Sequence, residues 1–231
     1  MLLPPLYCGV LLSRYKRFLA DIRLDDGRVI TAHCPNTGSM RAVNVPGCRV
    51  WVSFHDSPKR RLAWTWELIE LPGGALASVH TGRTNAIAEE ALRAGRVMAL
   101  SADARIDREV RCGEARLDFR IDDTHAVPLW LEVKQVTLQE DDGSGYFPDS
   151  VSARGRRHLE ALTALVEGGE RAMLLFIVAH TQIERVLPAT HLDPGWAAAF
   201  ERARTAGVEV RALGCRIDAG HIVAERRLVV G

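Results

Sequence analysis

The stretches ARLDFRI (residues 115–121) and PLWLEVKQV (residues 128–136) alternate apolar and polar side chains with the period of a β-strand. In the first, Leu117, Phe119 and Ile121 face one way, and Arg116, Asp118 and Arg120 face the other. In the second, Leu129, Leu131 and Val133 face the apolar side, opposite Trp130, Glu132 and Lys134. The short connection from Asp122 to Val127 predicts a hairpin turning near His125. Such a turn sets Asp118 opposite or nearly opposite Glu132, with facing Cβ atoms ~5 Å apart. Lys134 lies ~6–7 Å further along the same face. Charges on an otherwise buried sheet cost several kcal/mol per ion unless they are paired or bind a metal. Two readings follow: a divalent-metal site for phosphodiester chemistry, or a structural salt bridge on a half-exposed strand.

Magnesium takes oxygen ligands and keeps several waters, so one or two carboxylates and a phosphate suffice for it. Asp118 and Glu132 meet that need, with Mg2+ or Mn2+ as the expected ion, and Lys134 can orient a water or stabilise developing charge. A third acid is expected from the preceding helix. Glu90 is the first choice and Glu89 the second, with Glu109 as a strand-borne alternative. The basic side chains are nearly all arginine; the only lysines are Lys16, Lys59 and Lys134. An ammonium is a compact point charge where a guanidinium is a planar fork, which favours a chemical role for Lys134.

Around this pair the pattern is that of a mixed α/β domain. A helix is expected over Asn85–Arg96, capped by Thr84 or Asn85. ARIDREVRC precedes the two strands, and a loop spans Gln139 to Pro148. Ser152 caps a second helix ending at Gly168-Gly169; AMLLFIVA reads as a buried central strand. A helix from Pro194 to Thr205 and a strand, VEVRAL, finish the domain. Upstream, residues 10–70 are β-rich, with RYKRFLADIRL, RVITAHC, CRVWVSF and RRLAWTWELIEL separated by turn signals, as in a small barrel or sandwich. Leu71-Pro72-Gly73-Gly74 marks the expected boundary, giving units 1–73 and 74–231.

The 231 residues are 47% hydrophobic and 26% charged, as in an ordinary globular protein, and the N-terminus makes a poor secretory signal. The expectation is a cytosolic (cytoplasmic) protein with no membrane span. Five scattered cysteines without a CxxC pair argue for free, mostly buried thiols and against zinc; packing is the expected role of His33-Cys34. No GxGxxG, P-loop or GxSxG motif is present, so no nucleotide cofactor is expected.

Net charge is only +1, but the cations cluster: Arg14, Lys16, Arg17; Lys59, Arg60, Arg61; and Arg154, Arg156, Arg157, His158. Each is either a solvated face or a phosphate-binding patch. Cations in the first turns after Ser152 oppose the helix dipole, a cost that a docking phosphate, or pairing with Asp149 or Glu160, would offset. Trp64 and Trp66 share a predicted strand face with Leu62 and Leu68. That favours core packing over base stacking beside a cationic groove.

The stretches RYKRFLADIRLDDG, HCPNTGSM, TWELIEL, TNAIAEEAL, EVRCGEARLDF, LEVKQVTL and FPDSVSARGRRHLEAL occur in one order over nearly the whole chain. In these the chain resembles the bacterial and archaeal sugar fermentation stimulation protein A family. The resemblance implies an α+β protein: an N-terminal OB-like β-barrel, then a restriction-endonuclease-like mixed α/β domain. It also implies sequence-independent DNA binding and a role in regulating maltose and other sugar use. The nuclease superfamily's acid and acid-x-lysine signature falls on Asp118, Glu132 and Lys134, with the helical acid on Glu90. Glu114, Ala115 and Gln135 depart from the family pattern without removing a ligand. Whether the site cuts or only helps to bind is left open by the resemblance.

Overall fold

The computed structural model describes residues 1–124 and 126–231; the turn expected near His125 lies outside the described residues. Five strands near the N-terminus coil into a small barrel: β1 (Leu6–Tyr15), β2 (Leu19–Leu24), β3 (Val29–His33), β4 (Arg49–Phe54) and β5 (Trp64–Glu70). They run in the order β3-β2-β1-β4-β5, and a short parallel pairing of β3 with β5 closes the ring. β6 (Leu76–Ser78) adds to the outer side of β5. Leu11, Ile22, Val50, Val52 and Trp66 fill the interior. Gly9 permits close approach of β1 to β2, because a Cβ there would lie 2.5 Å from the Arg23 carbonyl oxygen.

Two details of the barrel differ from the alternation pattern. RYKRFLADIRL is not one strand but the end of β1, a turn at Lys16–Phe18, and β2. Lys16 and Arg17 hold φ of 48° and 64°, angles that favour Asn or Gly, so the turn carries none of the usual sequence punctuation. In β5, Glu67 is the extra residue of a bulge opposite Trp51 and Val52. Trp66 therefore stays inside the barrel while Leu68 joins the core of the next domain, and the two do not share a face. The bulge buries Glu67 completely, and Arg83 grips it with two bonds of 2.6 Å while Ser53 Oγ donates at 2.7 Å.

After a single 3-10 turn (Thr81–Arg83) comes α1 (Thr84–Arg93). Then follow β7 (Arg105–Cys112), β8 (Ala115–Asp122), β9 (Leu129–Val136), β10 (Leu138–Gln139), β11 (Gly145–Phe147) and α2 (Ala153–Glu167). The chain ends with β12 (Arg171–Val178), β13 (Arg185–Pro188), α3 (Pro194–Ala206), β14 (Glu209–Ile217) and β15 (Ile222–Val230). The strands form one sheet in the order β10-β11-β13-β15-β14-β12-β9-β8-β7, with β9, β12 and β14 parallel at its centre. Every residue of β12 from Ala172 to Val178 is buried, as its continuous apolar run requires. Ile87 and Leu92 of α1 cover one face, over Phe119, Leu131 and Leu175. Leu159 and Leu162 of α2 and Trp196 and Phe200 of α3 cover the other, over Leu174 and Phe176. Each such side chain contributes about 1.5–3 kcal/mol on burial.

Ser152 does cap α2, accepting the Gly155 N–H at 3.0 Å. Asp193 caps α3 through Trp196 N at 2.9 Å, and its other oxygen takes Ser152 N at 2.8 Å. α1 has no side-chain cap; Thr84 and Asn85 are committed elsewhere. The segment from Gln139 to Pro148, expected as a loop, contains β11 and the end of β10. β13 and β15 carry no signal of their own: β13 is four residues long, and Glu225-Arg226-Arg227 interrupts the alternation of β15. Among the described residues, no helix is long and apolar enough to cross a membrane.

Several bonds tie barrel to sheet. Asp149 Oδ2 accepts from Ser39 Oγ (2.9 Å) and Met40 N (3.0 Å), Ser78 N donates to Ala179 O (2.9 Å), and Gln135 Nε2 donates to Ser78 O (2.7 Å).

His180, next to this junction, is fully buried; its Nδ1 accepts from Gln182 N at 3.2 Å and its Nε2 has no partner among the described residues. Burial pulls the imidazole down from 6.5 to about 4. Between those values the unfolded chain binds the extra proton, so stability rises with pH across that window. Urea unfolding should lose up to about 3 kcal/mol from this group as pH falls from 6.5 to 4. In His180→Asn, which keeps an acceptor for Gln182, that part of the pH dependence should vanish.

Candidate functional site

Among the described residues, β8 and β9 pair only at Phe119↔Leu131, Arg120↔Trp130 and Ile121↔Leu129. Where the next pair, Asp118 with Glu132, would fall, the ladder stops, and Asp118 Oδ2 itself accepts the Val133 N–H at 2.7 Å. On the other side, Glu109 of β7 takes φ 55° and drops out of the β7–β8 ladder at the same level. β8 turns over at this point. Phe119 and Ile121 pack beneath α1, whereas Leu117 packs beneath α2 and α3, which corrects the single apolar face expected for these three. Asp118 is thus held in the plane of the sheet, with Oδ1 accepting from Asn85 Nδ2 of α1 at 2.7 Å.

Glu132 is 2% exposed and turns toward α2. Its Oε1 is contacted by both Lys134 Nζ and His158 Nδ1, while its Oε2 is buried without a partner among the described residues. Lys134 Nζ also lies 3.2 Å from His158 Nδ1. Burial pushes the Glu132 carboxyl up, but the hydrogen bond from His158 and the charge of Lys134 outweigh it and hold the group below its ordinary value. Asp118 goes the other way. Burial and then the Glu132 charge raise it, against the opposing bonds from Val133 and Asn85.

Asp118, Lys134 and Glu109 line a cleft of about 440 Å³ together with Asn36 of the barrel, Asn85 and Asp149. The uncapped start of α1 opens onto the same cleft at Thr81, Gly82 and Thr84. Gln135 fixes this start, accepting from Thr84 Oγ1 while donating to Ser78 O.

The remaining expected site residues separate into two groups. Glu90, the first-choice third acid, is away from the site: it is half-exposed and pairs with the Met1 amine at 2.8 Å. It follows Asn85 by five residues, well over a turn, and so leaves the face of α1 that meets Asp118. Glu89 is held by Arg93 and Arg108. Glu109 reaches the cleft but pairs with Arg116 at 3.1 Å. Among the described residues, no three His, Cys, Asp or Glu side chains gather into a group able to hold a metal ion.

The cationic clusters also divide. Arg14 is structural, its Nη2 donating to the carbonyls of Arg17, Asn36 and Gly38. His158, expected on a phosphate-binding surface, is buried against Glu132 instead. Arg17 and Lys59 are exposed, the former on the β1–β2 turn and the latter in the loop after β4. Lys16, Phe18, Thr31, His33, Arg60 and Arg61 line an open groove of about 610 Å³ on the barrel. Arg154 is exposed at the start of α2; Arg156 lies half-buried beside Gly195. Asn85 and Gln135 were legible only as a cap and a departure from pattern; their bonds to Asp118, Thr84 and Ser78 are long-range and leave no local signal.

This fold defines a class: a closed OB barrel joined to a restriction-endonuclease-like α/β domain. Residues 12–79 match the family model described as the SfsA N-terminal OB domain, and residues 82–221 match the sugar fermentation stimulation protein RE domain. The chain belongs to the sugar fermentation stimulation protein family. A homologue from Chromohalobacter salexigens is 60% identical over 89% of this chain and 83% of its own length. One from Shewanella baltica (strain OS185) is 47% identical over 98% and 97%. The structure of Pyrococcus furiosus SfsA, solved in complex with Ca2+, covers 100% of this chain and 98% of its own at a TM-score of 0.86 and 29% identity.

A raised carboxyl is an ionised group that the fold disfavours. In chelator at pH 7, Asp118→Asn should therefore unfold in urea with about 1 kcal/mol more stability than the wild type. The gain should disappear below pH ~4, where both chains are neutral at this position.

Proposed function

We propose that this chain binds DNA with little sequence preference and holds a divalent cation, Mg2+ or Mn2+, at Asp118 and Glu132. The observation that carries the reading is Glu132 Oε2, a buried carboxylate oxygen with no partner among the described residues, beside a second, destabilised carboxylate. Buried polar atoms are almost always satisfied, so an orphaned anionic oxygen, one residue behind the Val133 and Lys134 that line the cleft, fits a cation ligand. Two carboxylates are enough for a hard cation that keeps its waters and meets a phosphate. The Ca2+ of the Pyrococcus furiosus relative is an ion of the same chemical class.

DNA binding is supported by the barrel. In OB folds the face of strands two and three, with the loops after strands one and four, takes up oligonucleotides. Here that face carries Thr31 and His33, flanked by Lys16 and Phe18 on one loop and Arg60 and Arg61 on the other. Phe18 is 47% exposed, available for stacking beside the cations. In this reading residues 1–73 are the nucleic-acid-binding barrel and 74–231 the nuclease-like unit. The part in maltose and other sugar use that the resemblance implies would be exerted through DNA.

A second reading, phosphodiester hydrolysis, is favoured by Lys134, whose ammonium lies in the cleft beside Asp118 and on Glu132. There it can donate to a phosphoryl oxygen or orient an attacking water. A bound cation would supply acidification of that water and neutralise charge on the phosphoryl group. Asn85 and the Val133 N–H hold Asp118 in place for this, and the cleft position of Asn36 brings the barrel to the same opening.

Labelled single- and double-stranded DNA, with and without Mn2+, separates the readings. Duplex affinity should fall with salt at a log–log slope near −0.9 per phosphate neutralised, and the double variant Arg60→Ala/Arg61→Ala should flatten that slope by about two. Affinity indifferent to salt would end the DNA reading. Asp118→Ala and Lys134→Ala should stop any cutting while binding persists. Unchanged cutting in both would exclude this site.

A further inference from the structure

Glu132 is reached from a third element besides its own strand and β8. His158, one turn into α2, is buried and places Nδ1 on Glu132 Oε1. Donor chemistry settles which way the ring works. A carboxylate only accepts and an ammonium only donates. Were Nδ1 bare, it would face Glu132 Oε1 acceptor to acceptor. Nδ1 therefore carries the hydrogen, and Nε2 is the acceptor, which Arg154 Nε meets at 3.4 Å. In the chain Arg154 → His158 → Glu132, Lys134 donates to the same Oε1, so its 3.2 Å approach to Nδ1 is a contact between two donors that share that oxygen and not a bond. Among the described residues, the donors on Glu132 thus fall on one oxygen, and Oε2 is left bare.

We propose that His158 is a positioning residue for the cation: by holding Oε1 of Glu132 from the α2 side, it presents Oε2 as a ligand. Lys134 alone cannot do this, because it sits on the same strand two residues away and lines the cleft, where a phosphate would compete with Glu132 for its ammonium. The imidazole has no such freedom. It is packed under the first turns of α2, whose start is fixed by Ser152 and, through Ser152 N, by Asp193. Residues that orient a metal-binding carboxylate in this way set affinity, and their loss commonly costs about tenfold to a hundredfold.

The inference rests on the divalent-cation reading above, and the test keeps the two apart. Mn2+ is titrated calorimetrically into the full chain and into His158→Leu, His158→Asn and Arg154→Met, with cation-free thermal unfolding recorded for each. His158→Leu is expected to bind Mn2+ about tenfold to a hundredfold more weakly. His158→Asn, whose Nδ2 can donate from the place of Nδ1, should recover most of that loss, which a role in packing alone would not produce. Arg154→Met lies at an exposed position and keeps the fold; it should weaken binding in the same direction by a smaller factor. Wild-type affinity in the folded His158→Leu chain, or equal weakness in the Leu and Asn variants, overturns the proposal. If His158→Leu fails to fold, unchanged affinity in Arg154→Met together with Leu-like weakness in His158→Asn does so. A wild-type chain that binds no Mn2+ removes the cation reading itself, a result distinct from all of these.

Discussion

The burial of one carboxylate organises the second domain. Glu132 lies mid-sheet at 2% exposure, and ions there are tolerated only when other groups compensate them. Lys134 comes from the same strand, and His158 is brought down from α2. β8 gives up its ladder at the same level, with the Asp118 carboxylate occupying the Val133 N–H in place of a carbonyl. Between β8 and β9 the ladder holds from Phe119 to Ile121 and stops at Asp118 and Glu132, although Glu132 stays paired to Leu174 of β12 on its other side. The cleft is this opening, flanked by the left-handed backbone at Glu109 and by the start of α1, which has no side-chain cap.

The barrel solves a similar problem differently. Glu67 is swept inward by a bulge and made neutral in effect by two bonds from Arg83 and one from Ser53. Both of its oxygens are used, whereas Glu132 keeps one bare. The contrast separates a carboxylate that serves the fold from one with binding capacity to spare. Breaking the first would strand a charge in the interior; neutralising Asp118 beside the second would relieve one.

Much of this was legible in the chain. Alternation in 115–121 and 128–136 located β8 and β9 and set Asp118, Glu132 and Lys134 near one another; the apolar run 172–178 marked the central strand; and Ser152 marked a helix start. The failures share a cause. Period-two reasoning treats a strand as uniform, so it missed the bulge at Glu67, the turn at Lys16–Phe18 and the flip at Asp118, each of which reverses facing within one or two residues. Compositional reasoning treats a charge cluster as a surface, so it placed His158 and Arg14 outside when each is enclosed by its partners. Glu90 misled for the opposite reason: a helix holding the right residue type presented it to the Met1 amine.

The bonds crossing from barrel to sheet, at Ser39 and Met40 on Asp149, Ser78 on Ala179, and Gln135 on Ser78, lie around the mouth of the cleft rather than in a linker. The hinge-like stretch between two folding units is usually where a chain tolerates change, but here the seam and the entrance share residues: Gln135 and Asp149 line the opening and also carry the bonds across it. A substitution that loosened the seam would reshape the entrance as well.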